Sequence, residues 1–239
     1  MSEPGTELDY ARSVLRDQAE AISAMGRAIG EPFSAAVELV VRCAEADGSV
    51  IVSGLGKSGL IGAKISATLA SLGIPSHAVH PAEATHGDLG RFRERDLLIA
   101  LSKSGETEEV VNLAAILRQD GLPIVSITGG APGDTPHEPS SLERLATVAL
   151  TVGVSAEAGG SPAPSSSTTC TLALGDALAL VAARRRRFTD ADFAKRHPGG
   201  SLGGLLRPVI EALRFRAGEN LPLVRDDLTV AEALREASR

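Results

Sequence analysis

The chain has 239 residues, 43% apolar and 23% charged, with a net charge of −6 and aromatics at only 3%, which suits one sizeable globular domain with extra segments at its ends. The acidic balance and the shortage of aromatic rings argue against nucleic acid as main partner. No apolar run reads as long enough to span a bilayer, the polar start MSEPGTELDYARS is not a signal peptide, and the isolated Cys43 and Cys170 read as reduced thiols of a cytoplasmic protein.

In chain order, apolar residues on one face predict a helix over 7–30, and a second follows over 32–46 with Pro32 in its first turn. SVIVSG at 49–54 is a continuous apolar run, the pattern of a strand buried on both faces. GLGKSG comes next, then a helix of small residues over 60–72. The alternation repeats: a strand at 76–80 and a helical turn at 82–86, a strand at 96–102 and a helix at 106–119. It continues with a strand at 123–128, a Gly/Pro-rich loop and a short helix at 140–145, then a strand at 146–151. A Gly/Pro/Ser loop and a long helix over 167–186 complete it, and the basic run Arg184 to Arg187 reads as that helix's solvated end. Residues 221–239 resemble a strand, a turn and a helix that do not complete a domain.

Such alternation predicts an α/β fold, a doubly wound parallel sheet of about five strands flanked by helices. Ligands of these sheets lie beyond the carboxyl ends of the strands, which is where the polar loops fall. GLGKSG fits the dinucleotide fingerprint G-x-G-x-x-G, but the next strand ends in His80-Pro81 rather than a ribose-gripping acid, and Ile51 stands where a Walker A loop needs glycine. What remains is a helix N-terminus with Lys57 beside it, suited to an anion. SKSGETEE at 102–109 is more specific: Ser102, Ser104 and Thr107 put three hydroxyls at a helix start, and Gly105 lets the backbone come close. A phosphate monoester needs many such donors. HPAEATHGDLG places His80 and His86 at another strand end, and Glu157 and His197 sit in Pro/Gly-rich turns.

Together GLGKSG, HPAEATHGDLG, SKSGE, PSSSTT, GDALA and HPGGSLG resemble the SIS (sugar isomerase) domain of arabinose-5-phosphate isomerases, in consistent order from about residue 10 to 235. The resemblance implies a cofactor-independent aldose–ketose isomerase that interconverts D-ribulose 5-phosphate and D-arabinose 5-phosphate through an enediol and feeds synthesis of Kdo for lipopolysaccharide. It implies catalytic roles for Lys57, Glu109, Glu157 and His197, the last reaching in from a neighbouring subunit of a homo-oligomer, expected to be a tetramer. Substrate and phosphate contacts would come from Ser58, His80, His86, Ser102, Ser104, Gly105, Glu106, Thr107, Ser166, Ser167 and Thr168. His80 would also be an inhibitory zinc site. The expected organisation is N-terminal helices over 1–48, an SIS core over 49–215 and the start of a CBS module over 216–239. The family's Cys-Pro-containing stretch after the second glutamate is replaced here by AGGSPAPSSSTT, one residue shorter. A non-catalytic sugar-phosphate sensor, an isomerase of another sugar phosphate and a dinucleotide enzyme stay open as alternatives.

Overall fold

A computed structural model describes residues 6–130, 138–197 and 224–237. The chain divides into two compact units, residues 1–189 and 190–239.

The first unit is built on five parallel strands: β1 (Val50–Gly54), β2 (Ser76–Val79), β3 (Leu97–Ser102), β4 (Ile124–Thr128) and β5 (Val148–Thr151), in the order β2-β1-β3-β4-β5. The central strands β1, β3 and β4 are buried at every position. The edge strands β2 and β5 are not. That difference explains why the central runs are mostly apolar and the outer ones mixed.

Period-two alternation sends successive residues to opposite faces. Val50 and Val52, Leu97, Ile99 and Leu101, and Val125 and Ile127 join one core cluster, which holds buried residues of α2 (Glu31–Glu45), α3 (Lys57–Ser71) and α7 (Ser166–Arg185). Ile51, Leu98, Ala100 and Ile124 face the other way. They pack with Val110, Leu113 and Leu117 of α5 (Glu108–Gln119) and Leu142 of α6 (Ser141–Leu145). Helices on both faces make the sheet doubly wound, as the alternation implies.

Helix α1 (Glu7–Ala28) begins at a capping box made by Thr6 and Asp9 and buries only Met25. It lies on α7 and on the 3-10 turn Ala158–Gly160: the Tyr10 hydroxyl donates to Gly159 O (3.4 Å), the Gly159 amide donates to Asp17 Oδ2 (2.8 Å), and Thr169 Oγ1 donates to Gln18 Oε1 (2.6 Å). The reading that no segment is long and apolar enough to cross a bilayer needs correction, because α7 is by length and composition. Its Ser, Thr and Asp residues hide this in the sequence. In the fold it is the core helix, burying Cys170, Leu174, Leu178, Ala179 and Ala182.

Two helix starts differ from expectation. Helix α3 begins at Lys57 rather than 60, since the GKSG turn itself forms its first turn. Helix α5 begins at Glu108 rather than 106, with Thr107 as N-cap. A short α4 (Pro81–Thr85) follows β2. In the second unit, α8 (Asp190–Arg196) and α9 (Val230–Ala237) are described. Residues 198–223, with the glycines of the HPGG turn and the expected 215/216 boundary, lie outside the described residues.

Candidate active site

Strand order reverses between β1 and β3, and the crevice that such a reversal opens is where doubly wound sheets bind ligands. A cavity of about 210 Å³ sits there, at the carboxyl ends of β1, β3 and β4. Its floor is apolar, made by Leu101, Ile127, Val152 and Ile61. Its polar rim is formed by Lys57 and Ser58 at the start of α3, Ser102 and Lys103 after β3, and Ser167, Thr168 and Thr171 on α7.

The loop after β3 gathers its hydroxyls. Ser102 Oγ lies 2.8 Å from Thr107 Oγ1 and 3.5 Å from Ser104 Oγ, and accepts from the Gly105 amide at 3.1 Å. Ser104 Oγ accepts from the Glu106 amide at 3.2 Å. Gly105 stands at φ +68°, and a Cβ there would come within 2.0 Å of Ser140 Oγ, so the turn requires glycine. Thr107 makes no side-chain cap bond, and its hydroxyl joins the Ser102 cluster instead. The Glu106 carboxylate accepts from the Ser141 amide at 2.8 Å, and that bond holds it below the usual carboxylate range. Glu106 thereby ties the loop to α6.

Glu157 is buried, and five donors meet its two oxygens. Oε1 accepts from Lys103 Nζ and Ser167 Oγ, both at 2.5 Å. Oε2 accepts from the amides of Ser165 (2.8 Å) and Ser167 (3.1 Å) and from Ser165 Oγ (3.3 Å). Burial pushes this carboxyl upward, but the Lys103 ammonium, the Ser167 hydroxyl and the two amides outweigh it and hold it at about 2. The carboxylate caps the first turn of α7, where exposed amides and the helix dipole favour an anion.

Lys103 was missed in the sequence. The signal was present, because it follows Leu101 by two residues at the end of the central strand and so continues the α3/α7 side of β3. Its backbone is fixed as well: the Gly129 amide donates to Lys103 O at 2.8 Å, and a Cβ on Gly129 would come within 2.6 Å of that oxygen.

The cavity thus brings together Lys57, Ser58, Ser102, Ser167 and Thr168. Ser104, Gly105 and Thr107 join it through Ser102, and Glu157 through Lys103 and Ser167. The remaining candidates do not line it. Ser166 is buried in the first turn of α7, Glu109 is half-buried in the first turn of α5, and His80 and His86 are exposed at the two ends of α4. Among the described residues no three His, Cys, Asp or Glu side chains group to hold a metal ion, so His80 has no such set around it. His197 belongs to the second unit, where its ring stacks on Phe193 with centroids 3.9 Å apart and Nδ1 lies 2.9 Å from Phe193 O.

Comparison with known proteins identifies the family. Residues 44–181 match the model of the SIS domain. The arabinose 5-phosphate isomerase KdsD of Pseudomonas aeruginosa is 42% identical over 236 residues, which span 97% of this chain and 69% of that protein. KdsD of Yersinia pestis is 38% identical over 241 residues, spanning 99% of this chain and 70% of that one. Among solved structures, E. coli CFT073 c3406 in complex with arabinose 5-phosphate aligns with a TM-score of 0.72 at 32% identity, covering 82% of this chain and all of that one. The sheet order, the hydroxyl loop at its switch point and these similarities agree, and the chain belongs to the SIS-domain family of arabinose 5-phosphate isomerases.

Proposed function

We propose that the protein interconverts D-ribulose 5-phosphate and D-arabinose 5-phosphate through an enediolate, supplying a precursor for Kdo. The observation that carries the reading is the cavity at the sheet's switch point, which joins a cluster of hydroxyls to the ammonium-bearing start of α3. The hydroxyl cluster suits the phosphate, with Ser102, Ser104 and Thr107 as donors and the Gly105 turn bringing the backbone close. Ser167 and Thr168 add hydroxyls from α7. The relatives named for this activity match nearly the whole chain.

In this mechanism a carboxylate removes the proton beside the carbonyl, the electron pair moves to the carbonyl oxygen, the proton of the adjacent hydroxyl passes to that oxygen, and the abstracted proton returns to the neighbouring carbon. Glu109 is assigned this role, because both Glu157 oxygens are engaged by other donors. Positioned proton transfer contributes about 10²–10⁴-fold. Lys57 stabilises the developing oxyanion. His197 assists ring opening, and His80 and His86 approach the sugar hydroxyls. The protein works in the cytoplasm, consistent with two buried free thiols, Cys43 and Cys170. It assembles as a homotetramer, a reading favoured by the exposed Leu8 and Leu15, spaced seven apart on α1. Sedimentation as a monomer would contradict that assembly.

The test is incubation with D-ribulose 5-phosphate in D₂O followed by NMR. Arabinose 5-phosphate carrying solvent deuterium, lost in Glu109→Gln, is the expected result. Absence of turnover with shifted protein signals would replace the enzyme by a sensor.

A further inference from the structure

Lys103 and Glu157 form a unit that the proposed mechanism leaves unused. The Lys103 side chain is about half exposed and lines the cavity, whereas the Glu157 side chain is only 4% exposed and lies behind it. Their contact, Nζ to Oε1 at 2.5 Å, joins the end of β3 to the residue that precedes the 3-10 turn Ala158–Gly160.

The two sides of the β3 end have different chemistry. Ser102 follows Leu98 and Ala100 on the α5 side, where its hydroxyl meets that of Thr107. Lys103 follows Ile99 and Leu101 on the α3/α7 side, and Lys57 lines the same cavity. Neither Ser104 nor Thr107 lines the cavity directly. A phosphate held at the hydroxyl cluster would leave Lys57 and Lys103, which line the same cavity as Ser102, for the carbonyl end of the sugar. Of these two cations, only Lys103 is paired to a buried carboxylate among the described residues, which fixes where its charge sits. A fixed donor aimed at developing negative charge is the arrangement that stabilises a transition state most.

Glu157 is unsuited to take a proton itself. Lys103, Ser165 and Ser167 supply five donors to its two oxygens, so a substrate C–H has no free lone pair to approach. Protonating it would also break the contact that holds Lys103.

Resting on the isomerase reading, we infer that Lys103 is a further catalytic residue, donating a hydrogen bond to the enediolate oxygen, and that Glu157 is its positioning residue rather than the base. The step balances within the site. Glu109 takes the carbon-bound proton, the pair moves to the carbonyl oxygen, and Lys103 stabilises that oxygen while keeping its own proton; the hydroxyl proton on the first carbon then passes to that oxygen as the first carbon becomes the carbonyl, and Glu109 returns its proton to the adjacent carbon.

The experiment compares the wild type with Lys103→Met, Lys103→Arg, Glu157→Gln and the double variant Lys103→Met/Glu157→Gln. Each is first checked for a native circular dichroism spectrum. Removing one oxyanion donor costs about 10²–10³-fold in kcat, so Lys103→Met is expected to lose that much with KM changed less than about threefold. Glu157→Gln should lose a similar factor while keeping the acidic limb of its pH–kcat/KM profile. Residues acting as one unit are not additive, so the double variant should fall no further than Lys103→Met, and Lys103→Arg should recover part of the loss. A turnover-independent readout is binding of 4-phospho-D-erythronohydroxamate, whose hydroxamate mimics the enediolate. Lys103→Met should weaken it at least about 30-fold, with little change for arabinose 5-phosphate. Loss of the acidic limb in Glu157→Gln, multiplicative effects in the double variant, or an unchanged hydroxamate affinity in Lys103→Met overturns the inference while wild-type turnover leaves the isomerase reading standing. A wild type that neither turns over nor binds either compound removes both.

Discussion

Replacing Glu157 by glutamine should make the stability of the protein less sensitive to acid, by an amount the site geometry allows to be estimated. In the fold its carboxyl is held at about 2, against an ordinary value of 4.5. A depression of that size corresponds to about 3 kcal/mol of stability at neutral pH. Because the folded value is the lower one, the contribution is complete above pH 4.5 and disappears as pH falls from there toward 2. Linkage puts the loss between pH 7 and pH 3 at about 2 kcal/mol. Lys103 is half exposed, and solvent screening of its share reduces that figure. Urea unfolding of wild type and Glu157→Gln at pH 7, 5, 4 and 3 measures it. The wild type should lose about 1–2 kcal/mol more than the variant across this range, with the gap opening below pH 5. Parallel pH dependences in the two proteins would refute the view that Glu157 is an ionised, donor-saturated carboxylate.

Three other outcomes are expected. Gly105→Ala should destabilise the protein by at least about 1–2 kcal/mol and raise KM, since it forces a Cβ onto Ser140 at positive φ; thermal melts and steady-state kinetics check both. Ile99→Ala, at a fully buried position in the central strand, should cost about 2–5 kcal/mol in urea unfolding. Burial and the nearby Asp96 push the Cys43 thiol up to about 11, and burial and Glu157 push that of Cys170 upward, so Ellman's reagent at pH 8 should label neither until the protein unfolds.

Much of this fold was legible because the central strands are buried on both faces. VIVSG, LLIALS and IVSIT therefore read as mostly apolar runs without charged residues, and each leads into a polar loop at the ligand-binding end. The helix starts were less legible. Glycines around Lys57 suggested a loop, yet the fold begins α3 at that residue. The hydroxyl cluster could be read from spacing alone, since Ser102, Ser104 and Thr107 lie within one loop. The Lys103–Glu157 pair could not, because its members stand 54 positions apart. Nor could the chain show that the α7 amides and Ser167 would converge on the same carboxylate, leaving Glu157 occupied rather than available. Such facts depend on how two loops meet, and local pattern carries no record of that.

The docking of α1 onto α7 has a consequence for the order in which the chain can fold. The hydrogen bonds that secure α1 join residues 142, 149 and 151 positions apart. On a ribosome adding about 5–20 residues per second, α1 waits roughly 7–30 s for its partner to emerge. Through that interval Val14, Ala21 and Met25, the α1 residues that pack inward in the fold, have nothing to dock against. Helix α1 is thus made long before the residues that secure it, and the nascent protein carries it undocked through that interval.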